Sequence, residues 1–276
     1  MTRSFLLTKL DIQDDIVWVT INRPGDRNAI NSKLMEEVES ILSLVENTPA
    51  RAIVFHGAGD AFFIGGADAV EMIGCSPDDA FAFSDRIQKL FNRMETSPLL
   101  LVAAIDGLCY GGGFEFSLAC DFRLAVESAR IGLPEVRVGI IPGGGGTQRL
   151  PKIVGKAKAL EIILKGTLYS AEEALSLGLI NDIYPQHEMI PAIKKYLKPF
   201  LRNPQHALSN AKRAVQACQN FDFADGLYVE RERFKECFRT DFFVTEIKKQ
   251  LKSGQMKTTE SLDSILKEEK TDHKNE

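Results

Sequence analysis

Apolar and polar positions change rhythm repeatedly along this chain, and each change predicts an element. Phe5 to Ile12 and Ile16 to Ile21 are β-rich runs around Gln13-Asp14-Asp15, the pattern of a hairpin. Asn22-Arg23-Pro24-Gly25-Asp26-Arg27-Asn28-Ala29-Ile30 reads as a loop. Leu34, Val38, Ile41, Leu42 and Val45 then recur at helical spacing, with Asn31 or Ser32 as N-cap. Ala52 to His56 predicts a short strand, and Ala61 to Asp68 a glycine-bearing loop. Ser76-Pro77-Asp78-Asp79 has the cap, proline and acids of a helix start, and Phe83, Ile87, Leu90, Phe91 and Met94 form the buried stripe behind it.

The unbroken apolar run from Leu99 to Ile105 predicts a buried strand, followed by a turn, Gly111-Gly112-Gly113, and a short apolar segment bearing one carboxylate, Glu115. Phe122 to Val126 and Ala129 to Gly132 read as strands, and helix signals run through Thr147 to Leu164. Ser170-Ala171-Glu172-Glu173 is a capping box with Gly178 as the stop, and Leu179 to Tyr184 reads as a last strand. From Glu188 the pattern is helical, Ala207 to Ala217 being amphipathic, and the polar stretch Lys252 to Glu276 is expected to fray or be disordered. Repeated strand, glycine-marked turn and helix predict an α/β class. No fixed-period repeat is present, and the pattern by itself leaves a doubly wound sheet open.

Composition narrows the function classes. With 276 residues and 44% hydrophobic content, the chain can bury one substantial core plus a smaller appendage. A formal charge of -4 supplies no global attraction for nucleic acid, and no basic stripe is found. The absence of eighteen consecutive apolar residues argues against a membrane span, and the short lead Met1 to Ser4 lacks a signal or transit pattern, so the cytoplasm is expected. Cys75, Cys109, Cys120, Cys218 and Cys237 are odd in number with no C-x-x-C, as expected of reduced, mostly buried thiols. His56, His187, His206 and His273 lack metal-ligand spacing, so no metal site is expected.

The chemistry concentrates in two segments. If Gly112 or Gly113 opens a helix, its first N–H groups have no intrahelical partners and make a seat for an oxyanion, with glycine permitting close approach. Twenty residues after Glu115 stands Glu135, in Gly132-Leu133-Pro134-Glu135-Val136, followed by Gly139-Ile140-Ile141-Pro142-Gly143-Gly144-Gly145-Gly146-Thr147-Gln148-Arg149-Leu150. Both acids sit among apolar residues. Taken singly, Glu115 reads as a partner of its own helix dipole, Glu135 as a solvated acid at a strand exit, and Gly143 to Gly146 as a flexible loop. Neither a G-x-x-x-x-G-K-[ST] nor a strand-borne G-x-G-x-x-G is present.

In order and at this spacing, the segments resemble the enoyl-CoA hydratase (crotonase) family, whose members carry GGG-x-E and, twenty residues on, P-E-x-x-x-G-x-x-P-G-x-GG-T-Q-R-L. The likeness runs from about Val17 to about Tyr184. It implies a crotonase-like spiral of β-β-α units over residues 1–199, containing the active site, and a helical region over 200–276 that builds homotrimers, commonly paired into homohexamers. It implies hydration of a 2-enoyl-CoA to a 3-hydroxyacyl-CoA, with coenzyme A as part of the substrate and no separate cofactor. The N–H groups of Ala67 and Gly112 match the family's oxyanion-hole donors. Glu115 matches the base toward water, and Glu135 the acid toward the α-carbon. Arg27, Ala29, Gly65, Gly66, Asp68, Gly111, Pro134 and Gly143 match positions bordering the acyl-CoA, with Arg27 as a phosphate partner.

The chain also departs from the family. Ala69-Val70 stands where better-known hydratases often have a lysine, and the F-x-E-K-R-like ending is not legible in Glu246 to Met256, where Lys248, Lys249 and Lys252 are possible substitutes. Acyl carrier protein therefore stays open as the thioester carrier. A first glutamate is present and the eighth residue after Glu135 is Gly143, not Asp, which favours hydration over isomerisation of a 3-enoyl-CoA. A crotonase-type hydrolase or decarboxylase acting on a specialised thioester is the other alternative. Met72, Ile73, Phe83, Phe91 and Tyr110 read first as core and second as acyl lining.

Overall fold

The computed structural model describes residues 5–253. The tail expected to fray lies, from residue 254 on, outside the described residues. In chain order the strands are β1 (Thr8–Gln13), β2 (Ile16–Ile21), β3 (Ala52–Gly57), β4 (Phe62–Ile64), β5 (Leu100–Ile105), β6 (Leu108–Tyr110), β7 (Phe122–Val126), β8 (Arg130–Gly132), β9 (Tyr169–Ser170) and β10 (Asp182–Tyr184). The helices are α1 (Ser32–Val45), α2 (Ala69–Met72), α3 (Pro77–Glu95), α4 (Gly112–Leu118), α5 (Gly146–Val154), α6 (Lys156–Lys165), α7 (Ala171–Ser176), α8 (Met189–Leu201), α9 (Gln205–Asn220), α10 (Phe223–Cys237) and α11 (Phe242–Lys252).

One sheet has the order β1-β2-β3-β5-β7-β10, parallel except for the β1–β2 hairpin; the other has the order β4-β6-β8-β9. Each pass of the chain gives one strand to each sheet and then a helix: β3, β4 and α2–α3; β5, β6 and α4; β7, β8 and α5–α6. Three such passes set β3, β5 and β7 side by side in one sheet and β4, β6 and β8 in the other, which is the β-β-α spiral of the crotonase fold. Every residue of β5 is buried, as a parallel strand covered on both faces requires.

Local signals place the ends. Asn31 caps α1 by accepting the Leu34 N–H at 2.8 Å, and Ser76 and Asp79 close a capping box on α3. The helix signals over Thr147 to Leu164 divide into α5 and α6 because Gly155, at φ 77° and ψ 157°, takes a conformation open essentially to glycine. Residues 61–68, read as loop, contain β4, and β6 lies inside the turn expected before the glycine triplet. These three-residue strands are too short to show a period of two.

A ring cluster joins the layers near the glycine triplet. Phe116 of α4 meets Phe55 of β3 (5.0 Å between centroids), Phe91 of α3 (5.7 Å) and Phe63 of β4 (6.1 Å), all edge-on. Edge-on pairs add about 0.5–1.5 kcal/mol each beyond burial, so α4 is held from both sheets at once. The chain divides into two compact units, Met1–Ser209 and Asn210–Glu276, and α8 continues through residue 199 to Leu201. The second unit contains the end of α9 with α10 and α11, where Phe238 packs on Phe234 (5.1 Å) and Phe243 (5.3 Å).

Candidate active site

Each glycine of the triplet has its own steric reason. A Cβ on Gly113 would lie 2.0 Å from the Ile64 carbonyl oxygen, one on Gly112 would lie 3.1 Å from the Ala67 nitrogen, and one on Gly111 would lie 3.4 Å from Glu135 Oε1. The start of α4 therefore presses against the end of β4, against the loop beyond it, and against the second acid. Gly111, at φ 56° and ψ -132°, turns the chain from β6 into α4 and leaves the Gly112 N–H without a partner among the described residues.

The facing loop is pinned by alternate hydrogen bonds. The Gly65 N–H donates to the Arg27 carbonyl (2.9 Å), the Ile30 N–H to the Gly66 carbonyl (2.9 Å), and the Asp68 N–H to the Ile30 carbonyl (2.8 Å). This pairing skips Ala67, whose N–H is unpartnered among the described residues and lies beside Gly112. Two peptide donors expected from the resemblance are thus adjacent and free. Asp68 caps α2 through the Val70 N–H (3.0 Å) and pairs with Arg23 at 2.9 Å. Burial works against the Asp68 charge, but Arg23 and the Val70 N–H outweigh it and hold the carboxyl below its ordinary value. Its observed contacts are those of a support beneath Ala67.

Glu115 does not serve the dipole of its own helix. Its Oε1 accepts the N–H groups of Gly144 (2.8 Å) and Gly146 (2.7 Å), at the start of α5. A Cβ on Gly144 would fall 2.8 Å from Glu115 Oε2 and 2.9 Å from Phe91 Cε2, which is why glycine stands there. Burial pushes the Glu115 carboxyl up, while the two N–H groups and the charge of Arg149 pull it back. Glu135, at the start of a 3-10 turn (Glu135–Val138), differs: both carboxyl oxygens are buried with no hydrogen-bond partner among the described residues. Burial, opposed by its own backbone N–H and aided by the charge on Glu115, raises its carboxyl from 4.5 to about 7. Both carboxyls are raised, but one is supplied with two N–H donors and the other has none among the described residues, so the two acids are chemically unequal.

The remaining expected residues frame this centre. Arg27, exposed at φ 58°, has no ion pair among the described residues, and buried Ala29 gives its carbonyl to Arg23. Pro134 precedes the turn of Glu135, and the Gly143 carbonyl accepts from Ser84 Oγ (2.7 Å) and Gln88 Nε2 (2.8 Å) of α3. Phe91 is core, whereas Ile73, at 80% exposure, is not, because it follows the single-turn helix α2 out into solvent. Sequence reasoning assigned no role to Arg149. Its guanidinium donates to the Gly144 carbonyl (3.1 Å) and Asn92 Oδ1 (2.6 Å) and pairs with Glu95 (3.2 Å), clamping the loop that holds Glu115. The basic residue in T-Q-R-L, among otherwise uncharged positions, was the available signal. Lys248, Lys249 and Lys252 lie on α11, in the second unit.

Comparison with known proteins agrees with this geometry. Residues 11–255 match the profile of the Enoyl-CoA hydratase/isomerase family. The chain is 35% identical over 233 residues to the short-chain-enoyl-CoA hydratase of Clostridium acetobutylicum, covering 84% of this chain and 89% of that one. It is 34% identical over 232 residues to the crotonyl-CoA hydratase of Syntrophomonas wolfei, again with 84% and 89% covered. The crystal structure of an enoyl-CoA hydratase from Bacillus anthracis superposes with a TM-score of 0.84 at 31% identity, covering 92% of this chain and 98% of that one. Glycine triplet, paired acids and overall likeness lead to one conclusion: the chain belongs to the enoyl-CoA hydratase/isomerase family.

Proposed function

We propose that the protein is a hydro-lyase that adds water across the α,β double bond of a 2-enoyl-CoA to give the 3-hydroxyacyl-CoA. The observation that carries this reading is the pair of unequal acids, Glu115 with two N–H donors and Glu135 with none, next to the free N–H groups of Ala67 and Gly112. The two N–H groups receive the thioester carbonyl and stabilise the negative charge it gains; one such donor is worth about 3 kcal/mol or more in a transition state. Glu115 takes a proton from water as the water oxygen bonds to the β-carbon. Glu135, protonated up to about pH 7, gives its proton to the α-carbon, and solvent exchange restores both acids. Arg27 is the cation offered to the phosphates, with Ala29, Gly65, Gly66, Gly111, Pro134 and Gly143 forming the walls and Asp68 bracing them. Coenzyme A enters as part of the substrate, and the reaction as read needs no other cofactor.

Residues 200–276 are read as the self-association region of a homotrimer or homohexamer. Exposed aromatic side chains support this: Phe223 is 83% and Phe234 66% exposed, on a unit with further exposed rings. The five free cysteines fit the reducing cytoplasm, and among the described residues no helix is long and apolar enough to cross a membrane. The test is loss of enoyl-thioester absorbance with crotonyl-CoA, with the product identified by mass. A product heavier by one water supports hydration. An isomer of unchanged mass, free coenzyme A, or no reaction with short or long enoyl-CoAs refutes it. Mass determination in solution tests the oligomer.

A further inference from the structure

The opposite face of the larger sheet carries a polar cavity. Side chains alternate along a strand, so Phe55, which meets Phe116 of α4, points away from His56. Trp18 and Thr20 of β2 register with Val54 and His56 of β3, and Val54 with Val102 of β5, so Ala104 shares their face. There, beneath Met189 and Ile190 of α8, lies a cavity of about 220 Å³. At about 30 Å³ per water it has room for a small organic molecule. Trp18, Ala104, Asp106 and Met189 in its lining are buried, while Asp60, Gln186 and Ile190 are exposed at its rim.

Its polar groups are unbalanced. Two carboxylates, Asp106 and Asp60, line it, and no lysine or arginine does. Asp106 accepts the Gly57 N–H (3.1 Å), and His56 Nδ1 stands 3.8 Å from its Oδ2, but burial holds that imidazole below its ordinary value and so uncharged near neutrality. Burial also raises the Asp106 carboxyl to about 7, the Gly57 N–H opposing and the charge of Asp60 adding to the rise. Trp18 is 4% exposed, and its indole N–H has no partner among the described residues. A buried donor without an acceptor is destabilising. An occupant that satisfies this cavity brings a positive N–H donor for the carboxylates and an oxygen acceptor for the indole, with a short alkyl part against Met189 and Ala104.

We propose that this cavity is a binding site for a small amino alcohol, its primary ammonium on Asp106 and its hydroxyl oxygen on the Trp18 N–H. His56 Nε2 is turned to Thr20 Oγ1 (2.9 Å), which leaves Nδ1 on the Asp106 side. The site is independent of the acids that flank the glycine triplet and of the reaction read there. Trp18 is the single tryptophan of the chain and therefore a built-in reporter. The full chain is titrated with ethanolamine at pH 8, where Asp106 is ionised, and its fluorescence is followed, with propylammonium (no hydroxyl) and 1,2-propanediol (no charge) in parallel. A saturable change with ethanolamine, at least tenfold weaker with either control and at least tenfold weaker in Asp106→Asn, supports the site. Asn keeps an oxygen for the Gly57 N–H, and if that variant does not fold, a loss of at least threefold in the rim variant Asp60→Asn serves instead. No saturable change, equal binding of either control, or unchanged affinity in the folded variants overturns it.

Discussion

Replacing Glu135 by Gln is expected to make the protein more stable above neutrality while removing its activity. Folding carries this carboxyl from 4.5 to about 7, chiefly by burying it without a partner, so the folded state holds its proton more tightly than the unfolded chain does. Between those two values the native state binds more protons, and stability therefore falls as pH rises through the window from about 4.5 to about 7. Below the window both states are protonated and nothing is lost; above it the whole difference is lost. At about 1.4 kcal/mol per tenfold change in proton affinity, the loss is about 3 kcal/mol. Gln cannot ionise, so its own packing cost is the same at pH 4 and pH 8. Relaxation of Glu115 after the neighbouring charge is removed belongs to the same pair and is included in the difference. Urea unfolding of both proteins at pH 4 and pH 8, followed by Trp18 fluorescence at one fixed chain concentration, reads the first unit directly. The variant is expected to gain about 3 kcal/mol on the wild type between the two pH values. A gain below about 0.5 kcal/mol, within the ordinary scatter of independent sites, would show that Glu135 is not held in an unsatisfied, water-poor position.

Other perturbations separate chemistry from scaffold. Glu115→Gln keeps an oxygen for the N–H groups of Gly144 and Gly146, so the fold is expected to survive while kcat for crotonyl-CoA falls about 10²- to 10⁴-fold, with KM changed only a few-fold. Gly113→Ala forces a methyl against the Ile64 carbonyl and is expected to cost about 1–3 kcal/mol or more, read as a lowered Tm. Arg27→Ala is expected to raise KM for crotonyl-CoA at low salt and to change little at high salt. Crotonyl-pantetheine, which lacks the phosphates, should show no such effect.

What the sequence disclosed and what it hid follow from the reach of each signal. Ser76 and Ser170 act within three residues and were legible as caps, and of Asn31 and Ser32 the structure selects Asn31. The continuous apolar run of β5 likewise announced a strand covered on both faces. Strands β4 and β6 were hidden, because three residues hold too little pattern to show a strand and their partners come from other passes of the chain, whereas β8 was already legible in Ala129 to Gly132. The same holds at the site. Glu115 and Glu135 stood out as lone acids in apolar surroundings, but the contacts that make them unequal come from Gly144 and Gly146 on one side and from nothing on the other. Arg149 stayed hidden because its value lies in its partners, Asn92 and Glu95, more than fifty residues away. Asp68, expected beside the ligand, caps a helix and grips Arg23, a role visible only once the two loops are folded together.

Arg23 has a wider consequence. Its side chain, 9% exposed, reaches Asp26, the Ala29 carbonyl and Asp68, and so fastens the segment bearing Arg27 to the segment bearing Ala67. On the function proposed above, one guanidinium thereby couples the grip on a nucleotide tail to the polarisation of a distant carbonyl. A lineage could not retune either property by loosening this knot without disturbing the other.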